Sequence, residues 1–123
     1  MAAKKITLHC DVPVRDIVCS AIREYAHAAY SEGGSESAQV ARYTLLELAD
    51  EIKNGINDEC HSVEISRRPR AMVKAAFEYH FNRLDEAKGV NSARQRQLFN
   101  ELLGGRLLMR ADLQAAIEED RAG

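Results

Sequence analysis

The stretch KITLHCDVPVRDIVCSAIREYAHAAY, residues 5–30, decides the fold because its hydrophobic period changes part-way along. Ile6, Leu8 and Cys10 alternate with Thr7 and His9, which puts the apolar members on one face of a strand. From Asp11 onward the spacing becomes three and four. Val14, Ile17, Val18, Ala21, Ile22, Tyr25 and Ala29 then form one buried stripe, with Arg23, Glu24 and His27 toward solvent. A helix is expected to begin near Asp11 to Pro13, an acidic cap candidate and an early proline, and to run to about Tyr30.

Outward from this stretch, Gly33 and Gly34 end the first helix, and Ser37 is expected to cap a second. Its stripe is Val40, Ala41, Leu45, Leu48, Ala49 and Ile52, stopped by Asn54 and Gly55 with Ile56 as the apolar contact of the cap. A second alternating segment sets Val63 and Ile65 between Ser62, Glu64 and Ser66, and its pairing with the first strand would satisfy both backbones. A third helix is expected from a Ser66 cap, with Pro69 in its first turn, to a stop at Gly89; its stripe is Val73, Ala76, Phe77, His80, Phe81 and Leu84. Ser92 and Gln95 have the spacing of a capping box before a fourth helix carrying Leu98, Phe99, Leu102 and Leu103, which Gly104 and Gly105 end. A fifth helix follows on Leu113, Ala116 and Ile117, with Glu118–Gly123 expected to fray. The expected fold is therefore mainly α: one domain, 1–123, a compact bundle of four to five helices with a short two-stranded β-ribbon at about residues 5–10 and 62–66.

At 123 residues the chain suits one hydrophobic core, and 46% hydrophobic residues with only 2 prolines separate it from disordered sequences. The basic start is followed by alternation and charge instead of a long apolar run, so neither an export signal nor a membrane partner is expected and the expected location is cytoplasmic. The three cysteines, Cys10, Cys19 and Cys60, fit reduced thiols better than a disulfide framework. Pairing the strands would bring His9 and Cys10 near Cys60 and His61, but neighbouring strand residues face opposite ways and no CxxC or HxxxH spacing occurs, so no metal site is assigned. His80 lies on an apolar stripe with no carboxylate or nucleophile set to act with it. Cys19 lies early in a helix, where the dipole could favour a thiolate, yet no cysteine-enzyme pattern surrounds it. With no glycine-rich phosphate loop either, no catalytic residue and no cofactor are assigned, and the chain is expected to be a non-enzymatic binding protein.

Charge is more informative. Residues 1–60 carry six basic and ten acidic side chains, whereas Arg67 to Arg110 holds ten basic against four acidic, and eight of the ten are arginine. Arginine's planar fork suits phosphate and carboxylate, so an acidic partner, protein or nucleic acid, is expected at Arg67, Arg68, Arg70, Lys74, Arg94 and Arg96. The plainer alternative is that these charges pair with the acidic half of the same molecule. A homodimer is also within expectation.

Three resemblances extend this reading. The opening KKITLHCDVP, the helix after it and the capped SAQVARYTLLEL resemble ribbon-helix-helix repressors, in which two chains pair their strands and the outward side chains enter the DNA major groove. That resemblance implies DNA binding by Lys5, Thr7 and His9; the long first helix, a second strand in the same chain and the acidic first half depart from the family pattern. LDEAKGVNSARQRQLFNEL, residues 84–102, resembles a helix-turn-helix with Gly89 and Val90 at the turn, although Arg94 and Gln95 fall where that motif buries an apolar residue. Across its length the chain also resembles small uncharacterised proteins of enterobacterial prophages and phage satellites, mainly through KITLHCDVP and SRRPRAMVKAAFEYHF. This likeness implies a mobile-element protein acting stoichiometrically, as a regulator or inhibitor.

Overall fold

The computed structural model describes residues 5–122; Met1–Lys4 and Gly123 lie outside the described residues. The elements run β1 (Lys5–Cys10), α1 (Val12–Ala29), α2 (Glu36–Gly55), β2 (Ser62–Ser66), α3 (Arg70–Lys88), α4 (Ala93–Leu103), β3 (Leu107–Leu108) and α5 (Arg110–Ala122). The mainly helical architecture and the β1–β2 pairing match the sequence expectation. The pairing is antiparallel, with Lys5 opposite Ser66 and His9 opposite Ser62. The sheet has a third strand that the sequence did not announce: β3 runs parallel to β1 at His9 and Cys10, which makes β1 the central strand. Two residues are too short to show any alternation.

Alternation sends Leu8 and Cys10 of β1, Ile65 of β2 and Leu108 of β3 into the core, where they join the buried faces of the helices. α1 packs against α2 and α3, α2 also against β2, and α4 against the sheet, α3 and α5. The chain's three phenylalanines meet at the α3–α4 contact. Phe99 receives Phe77 and Phe81 edge to face, each with ring centroids 5.1 Å apart.

Asp11 caps α1 as expected, accepting from the Val14 N–H at 3.2 Å, and its other oxygen accepts from the Arg110 N–H at 2.8 Å. One carboxylate thus joins the starts of α1 and α5. Several local expectations need correction. The cap of α2 is Ser35, whose hydroxyl accepts from the Ala38 N–H, and Ser37 lies inside the helix. Ser66 does not cap α3, because its hydroxyl accepts from the Arg68 N–H and shapes the turn that precedes the helix. On α1, Cys19 and Ala26 are buried while Ala29, in the last turn, is exposed. Val40, expected on the buried stripe, is 61% exposed and lines a groove between α2 and the turn before α3. The final helix does not fray at Glu118; it continues to Ala122 and is tied to α4 by Asp120.

The end of α2 sets the position of β2. A Cβ added at Gly55 would overlap Val63 Cγ2 and lie 2.9 Å from Val63 Cβ. Gly55→Ala should therefore destabilise the protein by about 1–2 kcal/mol, the overpacking outweighing the gain of roughly 1 kcal/mol in helix propensity. Urea denaturation checks this, and a midpoint raised above wild type would contradict the close approach.

Candidate functional site

The turn between β2 and α3 carries most of the expected basic surface. The Arg70 N–H donates to the Arg67 carbonyl at 3.0 Å and the Val73 N–H to the Pro69 carbonyl at 3.0 Å, so the chain enters α3 through a tight turn built on a buried proline. No side chain caps this helix. Arg67, Arg68 and Lys74 are exposed and Arg70 is half-buried, and among the described residues none of the four has a carboxylate within ion-pair distance. Arg67, Arg68 and Arg70 therefore stand in the chain at the positive end of a helix dipole, where a bound anion is favoured.

Arg94 and Arg96 are placed differently. Arg96 donates to Glu78, to Asn82 at 2.8 Å and to Asp85 at 2.9 Å, and its guanidinium lies 5.9 Å from the Phe81 ring centroid. Against burial, which alone would raise it, the hydrogen bonds from Arg96 and Ser92 and the Arg96 charge hold the Asp85 carboxyl below its ordinary value. Arg94 pairs with Glu119 at 3.2 Å. The six residues expected to act together thus divide into four cations without an ion-pair partner among the described residues and two that are paired with carboxylates of the same molecule.

Gln95 is buried, and its amide together with the Arg94 and Gln95 N–H groups donates to the Asp120 carboxylate at 2.9–3.1 Å. The expected Ser92–Gln95 capping box does not form, because Asp120 of α5 takes the acceptor role from across the helix pair. α3 and α4 are joined through Gly89, whose φ of +62° is the left-handed conformation that suits a glycine stop.

The alternative DNA-reading residues lie on the outer face of the sheet. Lys5 is exposed, Thr7 and His9 are half-buried, and their cross-strand neighbours are Ser66, Glu64 and Ser62. One edge of β1 is occupied by β2 along this length, and the other pairs with β3 at residues 9 and 10.

A groove beside the basic turn is the feature the sequence did not reveal. Arg68, Pro69 and Met72 form one wall, while Val40, Leu48 and the carboxylates Glu47 and Glu51 of α2 form the other. Val40 and Tyr43, 61% and 64% exposed, are two of the three large hydrophobic side chains exposed among the described residues, and both stand on this part of α2. Val40 fits the buried stripe in the linear pattern, so only the placement of α2 against the turn exposes it.

The Cys10 N–H donates to the His61 carbonyl at 2.9 Å, so the two histidine–cysteine pairs are neighbours through the backbone. Their thiols diverge, Cys10 being buried and Cys60 exposed, and no group of three metal-ligating side chains comes together among the described residues. Burial pushes the Cys10 thiol up to about 12, with the Asp11 charge adding to the shift, and burial likewise raises Cys19, whose thiol donates to the Ala49 carbonyl at 3.4 Å. The position of Cys19 early in α1 therefore does not favour its thiolate. At pH 8 an aromatic disulfide reagent should titrate Cys60 fast, and Cys10 and Cys19 only as the chain unfolds. Two fast thiols in the native protein would contradict this.

No family model matches the chain, and no curated protein or solved structure is significantly similar to it.

Proposed function

We propose that the protein acts by stoichiometric binding of an acidic protein partner at the basic turn Arg67, Arg68, Arg70 and Lys74, extended by the groove that Arg68 shares with α2. The observation that carries this reading is the set of four neighbouring cations with no carboxylate within ion-pair distance among the described residues, beside a groove of mixed apolar and acidic lining. In the same protein Arg94 and Arg96, equally prominent in the sequence, are neutralised internally.

A protein partner fits better than duplex DNA. DNA offers a uniformly anionic backbone, which Glu47 and Glu51 on the opposite wall would repel, whereas a protein surface can place carboxylates on the arginines and apolar side chains on Val40 and Met72. A second copy of this chain is another occupant the test must separate. The likeness of KITLHCDVP and SRRPRAMVKAAFEYHF to prophage and phage-satellite proteins supports a regulator or inhibitor of a host or rival-phage factor.

Crosslinked affinity capture with nuclease treatment tests the proposal. The expected result is one nuclease-resistant protein recovered in stoichiometric amount. Recovery that disappears with nuclease would overturn the protein reading in favour of nucleic acid, and recovery of the chain alone would show self-association.

A further inference from the structure

A second cavity, of about 290 Å³, opens between α1, α3, α4 and α5. Its walls are core side chains, chiefly Phe81, Leu84, Phe99, Leu113 and Ile117. For scale, a dry apolar cavity of roughly 150 Å³ holds a benzene ring, and small-molecule sites start at roughly 300 Å³. The space suits a bicyclic ring or a medium aliphatic chain. None of the three exposed large hydrophobic residues, Val40, Tyr43 and Leu107, lines it, so it does not continue a protein-docking surface.

Three polar features give the cavity a direction. Lys88 and Arg121 belong to its lining, are exposed, and have no carboxylate within ion-pair distance among the described residues. Asp120 also lines it, but both of its oxygens accept the N–H groups at the start of α4. Those bonds hold it as part of the wall, and the two cations of the lining outnumber its one negative charge. His80 is half-buried against Phe81, with ring centroids 5.0 Å apart, and makes no hydrogen bond within the described residues. Burial, partly opposed by Glu24, lowers its pKa and favours the neutral imidazole.

We propose that this cavity binds a free hydrophobic monocarboxylate, with its ring or chain against Phe81, Phe99 and Ile117 and its carboxylate held by Lys88 and Arg121. The apolar body supplies affinity by leaving water, and the two cations select an anion over its neutral analogue. The site is separate from the basic turn, so its test does not depend on the macromolecular partner.

Titration of the full chain with 2-naphthoate, followed by amide chemical shifts, decides the matter. The expected result is saturable binding with the largest shifts at His80, Phe99 and Ile117, and about tenfold weaker binding of naphthalene-2-methanol, which has a similar ring and no charge. In the Lys88→Gln, Arg121→Gln double variant, whose altered side chains are exposed and leave the core untouched, that preference should vanish while the thermal midpoint of the free protein is unchanged. The absence of saturable shifts up to 1 mM, equal affinity for the two compounds, a preference that survives the double variant, or shifts centred on Arg67–Lys74 would each overturn the proposal.

Discussion

Phe99→Ala is expected to cost about 3–5 kcal/mol, a large share of the roughly 5–15 kcal/mol that holds a domain of this size folded. Phe99 is fully buried and lies between Phe77 and Phe81, so truncation removes two edge-to-face contacts along with the transfer free energy of the ring. It also enlarges a cavity whose wall Phe99 already forms, which leaves little for the neighbours to collapse onto. Phe99→Leu keeps most of the volume and should cost less than half as much. Urea denaturation gives both values. A loss below about 1 kcal/mol for the alanine variant would show that α4 does not depend on this cluster.

The second large effect is expected at Asp120, which composition and periodicity place in an unremarkable helix tail. Its carboxylate accepts from the Arg94 and Gln95 N–H groups and from the Gln95 side-chain amide, so it serves as the cap that α4 lacks locally. Hydrogen bonds to a charged acceptor contribute about 1.5–3 kcal/mol, and loss of a helix cap about 0.5–2. Because Asp120 is only half-buried and its charge is partly screened by solvent, Asp120→Ala should cost about 2–3 kcal/mol. Asp120→Asn, which keeps one acceptor oxygen, should recover about half. Hydrogen exchange at the amides of Arg94 and Gln95 should accelerate more than exchange elsewhere in the core. Uniform acceleration would mean that the carboxylate stabilises the fold globally and does not cap this helix.

These two residues show how far the sequence carries. Phe99 was legible because its partners recur at three and four residues along one chain segment, as did the stripes of α1, α2 and α3. The alternation of Ile6, Leu8 and Cys10 announced β1, and that of Val63 and Ile65 announced its partner. Asp120 was not legible, since its role depends on N–H groups 25 and 26 residues away and the nearer Ser92–Gln95 pattern offered a local substitute. The same reason explains the candidate site. Charge counting located the Arg-rich segment, but whether an arginine is free depends on which carboxylates other elements bring to it. Arg96 meets Glu78 and Asp85 from α3, Arg94 meets Glu119 from α5, and Arg67, Arg68, Arg70 and Lys74 meet none among the described residues. The groove was hidden too, because it exists only where α2 and the β2–α3 turn face each other.

On the proposed function the basic turn, and not the whole Arg-rich segment, is the working surface. Quantitative capture of the partner by the wild-type chain, by the Arg67→Glu, Arg68→Glu variant and by Arg94→Gln compares the two halves directly. Removing charged partners from an interface costs about 2–5 kcal/mol, so recovery should be at least roughly thirtyfold weaker for the double variant and no more than about threefold weaker for Arg94→Gln, with the thermal midpoint unchanged in Arg94→Gln and not lowered in the double variant. Undiminished recovery by the double variant, or an equal loss in Arg94→Gln, would contradict the proposed function.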